Sequence, residues 1–452
     1  PKRLFYNTSW WAYGSQKKFE EADKSKMISF DIGKYYPLNG LSNGEIASLS
    51  RSQHQSQGFG STGSRGSELE YIEFLKGKFS KTDDIFDGID TSWNRLKGGA
   101  EIGKILSNVE VNFDFMNPEK SLPALLKAHQ LISELKNEHW KDLKLKQIKD
   151  IMAAFTGLYI EATAEESHAY SNANVSFNIE AINRSNFKIK LRSVSISPIN
   201  ISNNHDEDLN YNKRINLNLK GTIPSDIENT NSYWLNEDSS IGMYTVNNKK
   251  LIGNPQTPRL LSANFILDFN GYSILFKKEV IFKYNDPVKG EVYQPFEILP
   301  MVTAKISNKV NIFANNNSKE IPITITSAKD SISGDISLSY PKGWNINPEQ
   351  INFSIDKKGE QKTVIFKITP PDYQSKGKIA PIVKIGGQIF NKELVEINYD
   401  HIPKQSVLLP SEAKVVRLDI KTKGNLIGYV QGAGDNVPVS LRAIGYSVVE
   451  LN

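Results

Sequence analysis

The sequence predicts a multidomain chain of mixed class: an α/β start, a helical middle, two all-β sandwiches and a closing β-α-β unit. A change of hydrophobic period and a proline-marked joint carry that reading. Apolar residues recur at helical spacing from about Thr91 to Glu166, then at every second position after Ser167. A joint from Asp286-Pro287 to Pro300 separates two stretches of such alternation. The 452 residues suffice for about three domains.

The first stretch alternates strand and helix signals. Leu4-Phe5-Tyr6 leads into Ser9-Trp10-Trp11, apolar and aromatic enough for a buried strand, and Met27 to Ile32 predicts a second. Ser42-Asn43-Gly44-Glu45 is a capping box, in which serine and glutamate satisfy each other's orphan backbone donors. It opens a helix expected to reach about Gln57, where Gly58, Gly60, Gly63 and Gly66 break it as a flexible surface loop carrying Arg65.

In the helical part Ser121 is the expected N-cap, with Leu122, Leu125, Leu126, His129 and Ile132 on one face. Ile148, Ile151, Met152, Phe155, Leu158, Tyr159 and Ala162 form a second stripe, giving a helical hairpin that reads as a connector. Then Val175, Phe177, Ile179 and Ala181 alternate, as do Ile215, Leu217 and Leu219. Ala263, Phe265, Leu267 and Phe269 lead to Asn270-Gly271, a hairpin signal because both central residues of a type I′ turn need positive φ. Phe276, Val280, Phe282 and Tyr284 continue beyond it. One buried and one wet face describe an antiparallel sandwich. Past the joint, Ile321, Ile323 and Ile325, then Ile336, Leu338 and Tyr340, then Val364, Phe366 and Ile368 suggest an immunoglobulin-like module. From Lys414 the texture changes again: Asn425 to Val430 reads as a buried parallel strand, followed by a glycine turn, a helix and the strand Ser447 to Leu451. The expected divisions are 1–80, 81–166, 167–296, 297–404 and 405–452. Both ends read as cut, since a strand-like run follows Pro1 at once and the last residues sit inside an α/β pattern.

Composition narrows function. Lys+Arg 55 against Asp+Glu 50 leaves +5, with no basic block, so nucleic acid is not the expected partner. No cysteine is present, which removes thiolate ligands and nucleophiles. No apolar run approaches the ~20 residues a membrane helix needs. None of the six histidines pairs with another at the i, i+4 spacing of a helical zinc site, so no metal ligand is assigned, and His129 reads as a core residue. Gly432-x-Gly434 after a strand is either a tight βα turn or a dinucleotide turn, but Val437 holds the third glycine position. No Gly-x-Ser-x-Gly elbow occurs.

One cluster stands out. Arg51 and His54 lie three apart on the capped helix, beside Ser56, Gln57 and the glycine loop. A histidine there is a general acid/base or substrate-orienting group, or an exposed helix-end histidine favoured by the dipole. Tyr233, Trp234 and Trp344 are sugar-stacking candidates, with core packing as the alternative for each.

The runs Lys2-Arg3-Leu4-Phe5-Tyr6-Asn7-Thr8-Ser9-Trp10-Trp11 and Ser50-Arg51-Ser52-Gln53-His54-Gln55-Ser56-Gln57-Gly58-Phe59-Gly60-Ser61 resemble the tail of the Rossmann-like deacetylase domain in large Bacteroidetes-type members of the PIG-L/LmbE family. Its His-x-Ser-Gln signature matches His54, Ser56 and Gln57. The resemblance implies zinc-dependent N-deacetylation of N-acetylglucosamine-type conjugates, with His54 and Arg51 as catalytic candidates and Ser56, Gln57 and Arg65 as substrate-binding candidates. Zinc in that family is held by an early His-Pro-Asp-Asp motif and a later histidine; neither motif occurs here, and both are expected upstream of Pro1. Asp286 to Tyr293 looks like the same large proteins, and Pro341-Lys342-Gly343-Trp344 with Pro370-Pro371 is similar to the immunoglobulin-like module of bacterial α-galactosidases. The closing unit resembles the start of a glutamine-amidotransferase-like domain. A periplasmic or cell-surface setting is implied. The alternative is a non-catalytic scaffold that binds glycan through its sandwiches.

Overall fold

The computed structural model describes residues 2–78, 84–432 and 434–451. The expected boundary at 80/81 and the loop residue Ala433 lie outside these. The chain is mostly β and divides into two compact units, 1–103 and 104–452.

In the first unit Leu69–Gly77 is the central strand, antiparallel to both Arg3–Thr8 and Met27–Asp31. Trp10 and Trp11 are not strand residues. They lie in the short helix Trp10–Tyr13, closed by Gly14 at φ 80°, and Trp11 is 76% exposed. Phe19 packs between Tyr13 and Tyr71, at ring-centroid distances of 5.3 and 5.0 Å. The capping box forms as predicted: Ser42 Oγ accepts from Glu45 N at 3.3 Å, and Glu45 Oε2 accepts from Ser42 N at 2.9 Å. The helix Asn43–Arg51 is shorter than expected, because no apolar face continues past it; a 3₁₀ turn, Gln55–Gln57, follows and ends at Gly58, φ 68°.

The helical part also departs from expectation. A 3₁₀ turn, Pro118–Ser121, precedes the helix Leu122–Ser133, so Ser121 is right-handed and its side chain caps nothing. Asn137 opens the partner helix Glu138–Phe155 by accepting from Trp140 N at 3.2 Å. The second stripe is split. Gly157, at φ 54°, ends the helix, and Tyr159–Ala164 becomes a strand. Residues 158–162 satisfy both periods, and the left-handed glycine decides between them.

That strand puts the start of the first sandwich at Tyr159 instead of 167. One sheet runs Arg214–Thr222, Asn174–Ile182, Tyr159–Ala164, Ile281–Asp286, Gly290–Pro295; the other runs Ile201–Asp208, Ile189–Ser197, Ser262–Phe269, Tyr272–Glu279. Phe177, Ile179, Ala181, Phe265, Leu267 and Phe269 are buried, as the alternation predicted. The Asn270-Gly271 turn has φ of 51° and 99°, with Phe269 opposite Tyr272. Beyond Phe276 the chain changes sheets at buried Val280, so Phe282 and Tyr284 belong to the other layer. The expected joint is no linker. Asp286 to Gly290 is a hairpin turn in which Asp286 Oδ1 accepts from Val288 N and Lys289 N at 2.8 Å each. Glu297–Ile298 then pairs with His168–Ala169, which keeps it in the first sandwich.

The second sandwich sets Val302–Ile306, Lys319–Ser327, Gln361–Thr369 and Asn345–Asn347 against a sheet built on Val310–Phe313, Ala413–Arg417, Ser375–Ile385, Ile332–Ser339 and Gln350–Ile355. Its core gathers the predicted isoleucines with Phe313, Trp344, Phe366, Ala413 and Val415; Tyr340 stays 45% exposed. The boundary at 404 is therefore too early. Ala413–Arg417 closes this sandwich, parallel to Val310–Phe313 and antiparallel to Ser375–Ile379. The closing β-α-β unit is present, with Leu426–Val430 parallel to Ser447–Leu451 around the helix Val437–Ala443. Its first strand is parallel but not buried: Leu426 and Val430 are largely exposed. No helix among the described residues is long and apolar enough to cross a membrane.

Candidate functional site

Arg51 is the last residue of the capped helix, and His54 lies past its end, so the two do not share a helix face. Phe59 brings them together instead. The Arg51 guanidinium sits 5.3 Å from the Phe59 ring centroid, and the His54 ring is 6.1 Å from it. His54 Nδ1 is 3.1 Å from Gln57 Oε1. This contact engages Nδ1 and leaves Nε2 as the ring nitrogen turned away from Gln57. Ser56 is exposed on the same 3₁₀ turn.

The glycine loop is seated on the helix rather than free. Ser61 N donates to Ser52 Oγ at 3.3 Å, Ser48 Oγ donates to Ser61 O, and Ser42 Oγ reaches Ser64 O at 3.2 Å. A Cβ on Gly44 would stand 2.1 Å from Ser64 Oγ, and one on Gly63 would stand 2.8 Å from Glu45 Cα; glycine allows this close approach. Arg65 turns back onto Glu45, Nε to Oε1 at 2.8 Å, so it is held by the capping box and not grouped with His54. The Glu45 carboxyl lies below its ordinary range, chiefly through the Ser42 amide and then the Ser42 hydroxyl.

The aromatic candidates divide. Trp344 is core: 5% exposed, edge-on to Phe313 at 5.1 Å, its Nε1 donating to Ser375 Oγ at 3.1 Å. Tyr233 and Trp234 are half-buried, rings perpendicular at 4.8 Å. Trp234 lines a small recess with Arg259 and Glu297. Arg259 Nη1 meets Glu297 Oε1 at 3.0 Å, and Glu297 Oε2 is buried without a hydrogen-bond partner. Burial raises the Glu297 pKa; Arg259 and then the Thr230 hydroxyl oppose this. Sequence reading missed this pair, since 38 residues separate its members.

His129 is part-buried, and burial with Lys149 lowers its pKa, which suits a core histidine. His168 lines a cavity of about 320 Å³ at the junction of the two sandwiches, which the Glu166–Lys358 ion pair bridges. Among the described residues no three His, Cys, Asp or Glu side chains converge as metal ligands. At the glycine turn near 432–434, Asp435 Oδ2 accepts from Gly432 N at 3.2 Å and from the Tyr429 hydroxyl at 2.6 Å. Asp435 thus ties the turn back to its own backbone and to Tyr429, as in a tight βα turn.

No family model and no curated protein matches this chain. Among solved structures, native α-2-macroglobulin of Escherichia coli is similar at 9% identity and a TM-score of 0.21, over 58% of this chain and 17% of that one. A non-cellulosomal cohesin from Archaeoglobus fulgidus is similar at 13% identity and TM-score 0.16, over 26% and 91% of the two chains. A protein of unknown function from Porphyromonas gingivalis W83 shows 9% identity and TM-score 0.17, over 57% and 99%. Scores this low carry no argument about fold or function.

Proposed function

We propose that residues 2–78 supply the substrate-facing edge of an N-deacetylase that hydrolyses the amide of an N-acetylglucosamine-type conjugate, and that the sandwiches position it on glycan. The finer assignments belong to the same proposal: a Rossmann-like deacetylase part, an immunoglobulin-like second sandwich, an amidotransferase-like closing unit, and a periplasmic or cell-surface setting. One observation supports it most directly. The His-x-Ser-Gln run folds into a turn that orients an exposed imidazole through Gln57, against Phe59 and beside Arg51. An imidazole whose Nδ1 is held by Gln57 can present Nε2 to an amide or amine as a hydrogen-bonding or proton-transfer group. Arg51 supplies a permanent positive charge next to it.

The residues present do not fit a zinc site: the histidines are dispersed, and no acidic cluster joins any of them among the described residues. Zinc would have to be held by residues other than these, and no step is derived through it.

The test follows the His54 ring protons by NMR while N-acetylglucosamine, then glucose, is added. Movement with the acetylated sugar alone, weakened by Gln57→Ala, is expected. A ring that stays still up to the solubility limit of the sugar defeats the reading.

A further inference from the structure

We infer that the outward face of the five-stranded sheet in the first sandwich is a binding groove for a neutral saccharide chain, read by Asn216, Asn218, Asn178, Glu180, Glu161 and Lys283. This deepens, and rests on, the proposal that the sandwiches engage glycan, and it does not depend on the His54 chemistry.

The register places these residues in two adjacent rows. Asn216 stands opposite Glu180, which stands opposite Glu161; Asn218 stands opposite Asn178, which stands opposite Thr163. They line a groove of about 430 Å³, within the ~300–1,000 Å³ span of small-ligand sites. Two carboxylates directly opposite each other on neighbouring strands destabilise a sheet, and a sheet has no structural need of them. Here each is neutralised from outside the pair: Arg214 Nε meets Glu180 Oε1 at 3.0 Å, and Lys283 Nζ meets Glu161 Oε2 at 2.5 Å. Glu161 and Lys283 are 12% and 22% exposed at the side chain, so this pair is built into the floor. Lys283 also reaches Glu291 at 3.6 Å and sits 5.7 Å from the centroid of the Tyr293 ring.

The ligand class follows from the chemistry. Three carboxylates, Glu161, Glu180 and Glu291, face two cations, Arg214 and Lys283, so a polyanion is disfavoured, and the two cations already paired with them disfavour a polycation. Asn218 Nδ2 donates to Asn178 Oδ1 at 3.0 Å, ordering the amides, while Asn216 stays exposed. The floor thus alternates donors and acceptors, which matches hydroxyls that both donate and accept. A peptide adding as a strand is not the occupant, because Asn174–Ile182 is already paired on both sides and the groove lies on its face. Nucleic acid would bring phosphates against Glu161 and Glu180.

The experiment is calorimetric titration of the whole chain with oligomers of N-acetylglucosamine and of glucose. The expected result is binding of at least one, weakened about tenfold or more in Asn216→Ala/Asn218→Ala, given roughly 1 kcal/mol per lost hydrogen bond. The thermal midpoint of that variant should match the parent. Equal binding by parent and the asparagine variant, or none by the parent, overturns the groove, whereas the His54 reading stands or falls on its own ring-proton shifts.

Discussion

The first unit and the second sandwich are built from strands of similar length, yet they bury very different amounts of apolar surface. In the sheet Arg3–Thr8, Leu69–Gly77, Met27–Asp31, Ile28 is the buried hydrophobic residue among those described, and Leu4, Tyr6, Leu69 and Leu75 are about half exposed. In the second sandwich Ile321, Ile323, Ile325, Val364, Phe366 and Ile368 all turn inward onto Phe313 and Trp344. Alternation stabilises a sheet only where a second layer receives its apolar face. In the first unit the described residues bring little beyond Phe19 onto the sheet, and order comes from polar devices: the capping box, the Arg65–Glu45 pair, and Asp31, whose Oδ1 accepts from Gly33 N at 2.8 Å and Glu68 N at 3.0 Å. The Asp31 pKa is lowered, first by the Glu68 amide, then by the Ser67 hydroxyl. The unit that carries the proposed chemistry is thus held by hydrogen bonds, and the unit that carries bulk is held by packing.

The sharpest test of that contrast is core truncation. Phe366→Ala should cost about 3–5 kcal/mol in the denaturant unfolding of the sandwiches; a loss under about 1 kcal/mol would mean the core repacks freely. Arg259→Met should cost nearly as much, about 3–5 kcal/mol, because Glu297 is left buried and unpaired, and adding Glu297→Gln should restore most of it. That pair also has a pH signature. Burial raises the Glu297 pKa, so the folded state keeps its proton to higher pH than the unfolded state does. This group's contribution to stability therefore falls as pH rises from the ordinary carboxylate range to its raised value. Glu297→Gln should flatten that slope in urea midpoints measured across the window, and an unchanged slope would assign it to other groups.

Smaller effects follow at the turns. Asn270→Ala should cost roughly 1–2 kcal/mol, since alanine resists φ 51°, whereas Asn270→Gly should be close to neutral. Ser42→Ala should cost about 1 kcal/mol and show as faster amide exchange in Asn43–Arg51, with exchange in Gln361–Thr369 unchanged. Equal loss of protection in both would show that the two regions unfold together, against the contrast drawn above.

Local signals in the sequence read well where one device decides the outcome. The Ser42/Glu45 box, the Asn270-Gly271 hairpin and the isoleucine alternations formed as their residues predicted. Errors came where two devices compete within a few residues. Tyr159 to Ala162 fitted a helical stripe and a strand, and Gly157 settled it; Asp286-Pro287 fitted a linker and a hairpin, and pairing with Ile281–Asp286 settled it.

The sequence by itself determined which residues are apolar, with what period, and where backbone freedom is needed, because these are properties of neighbours along the chain. Only the tertiary structure decided that Ala413–Arg417 closes the second sandwich, that Phe59 joins Arg51 to His54, and that Arg259 meets Glu297. Each is a contact across a turn or across tens of residues. Its partner is chosen by which faces the folded sheets and loops bring together, and no local pattern records that choice.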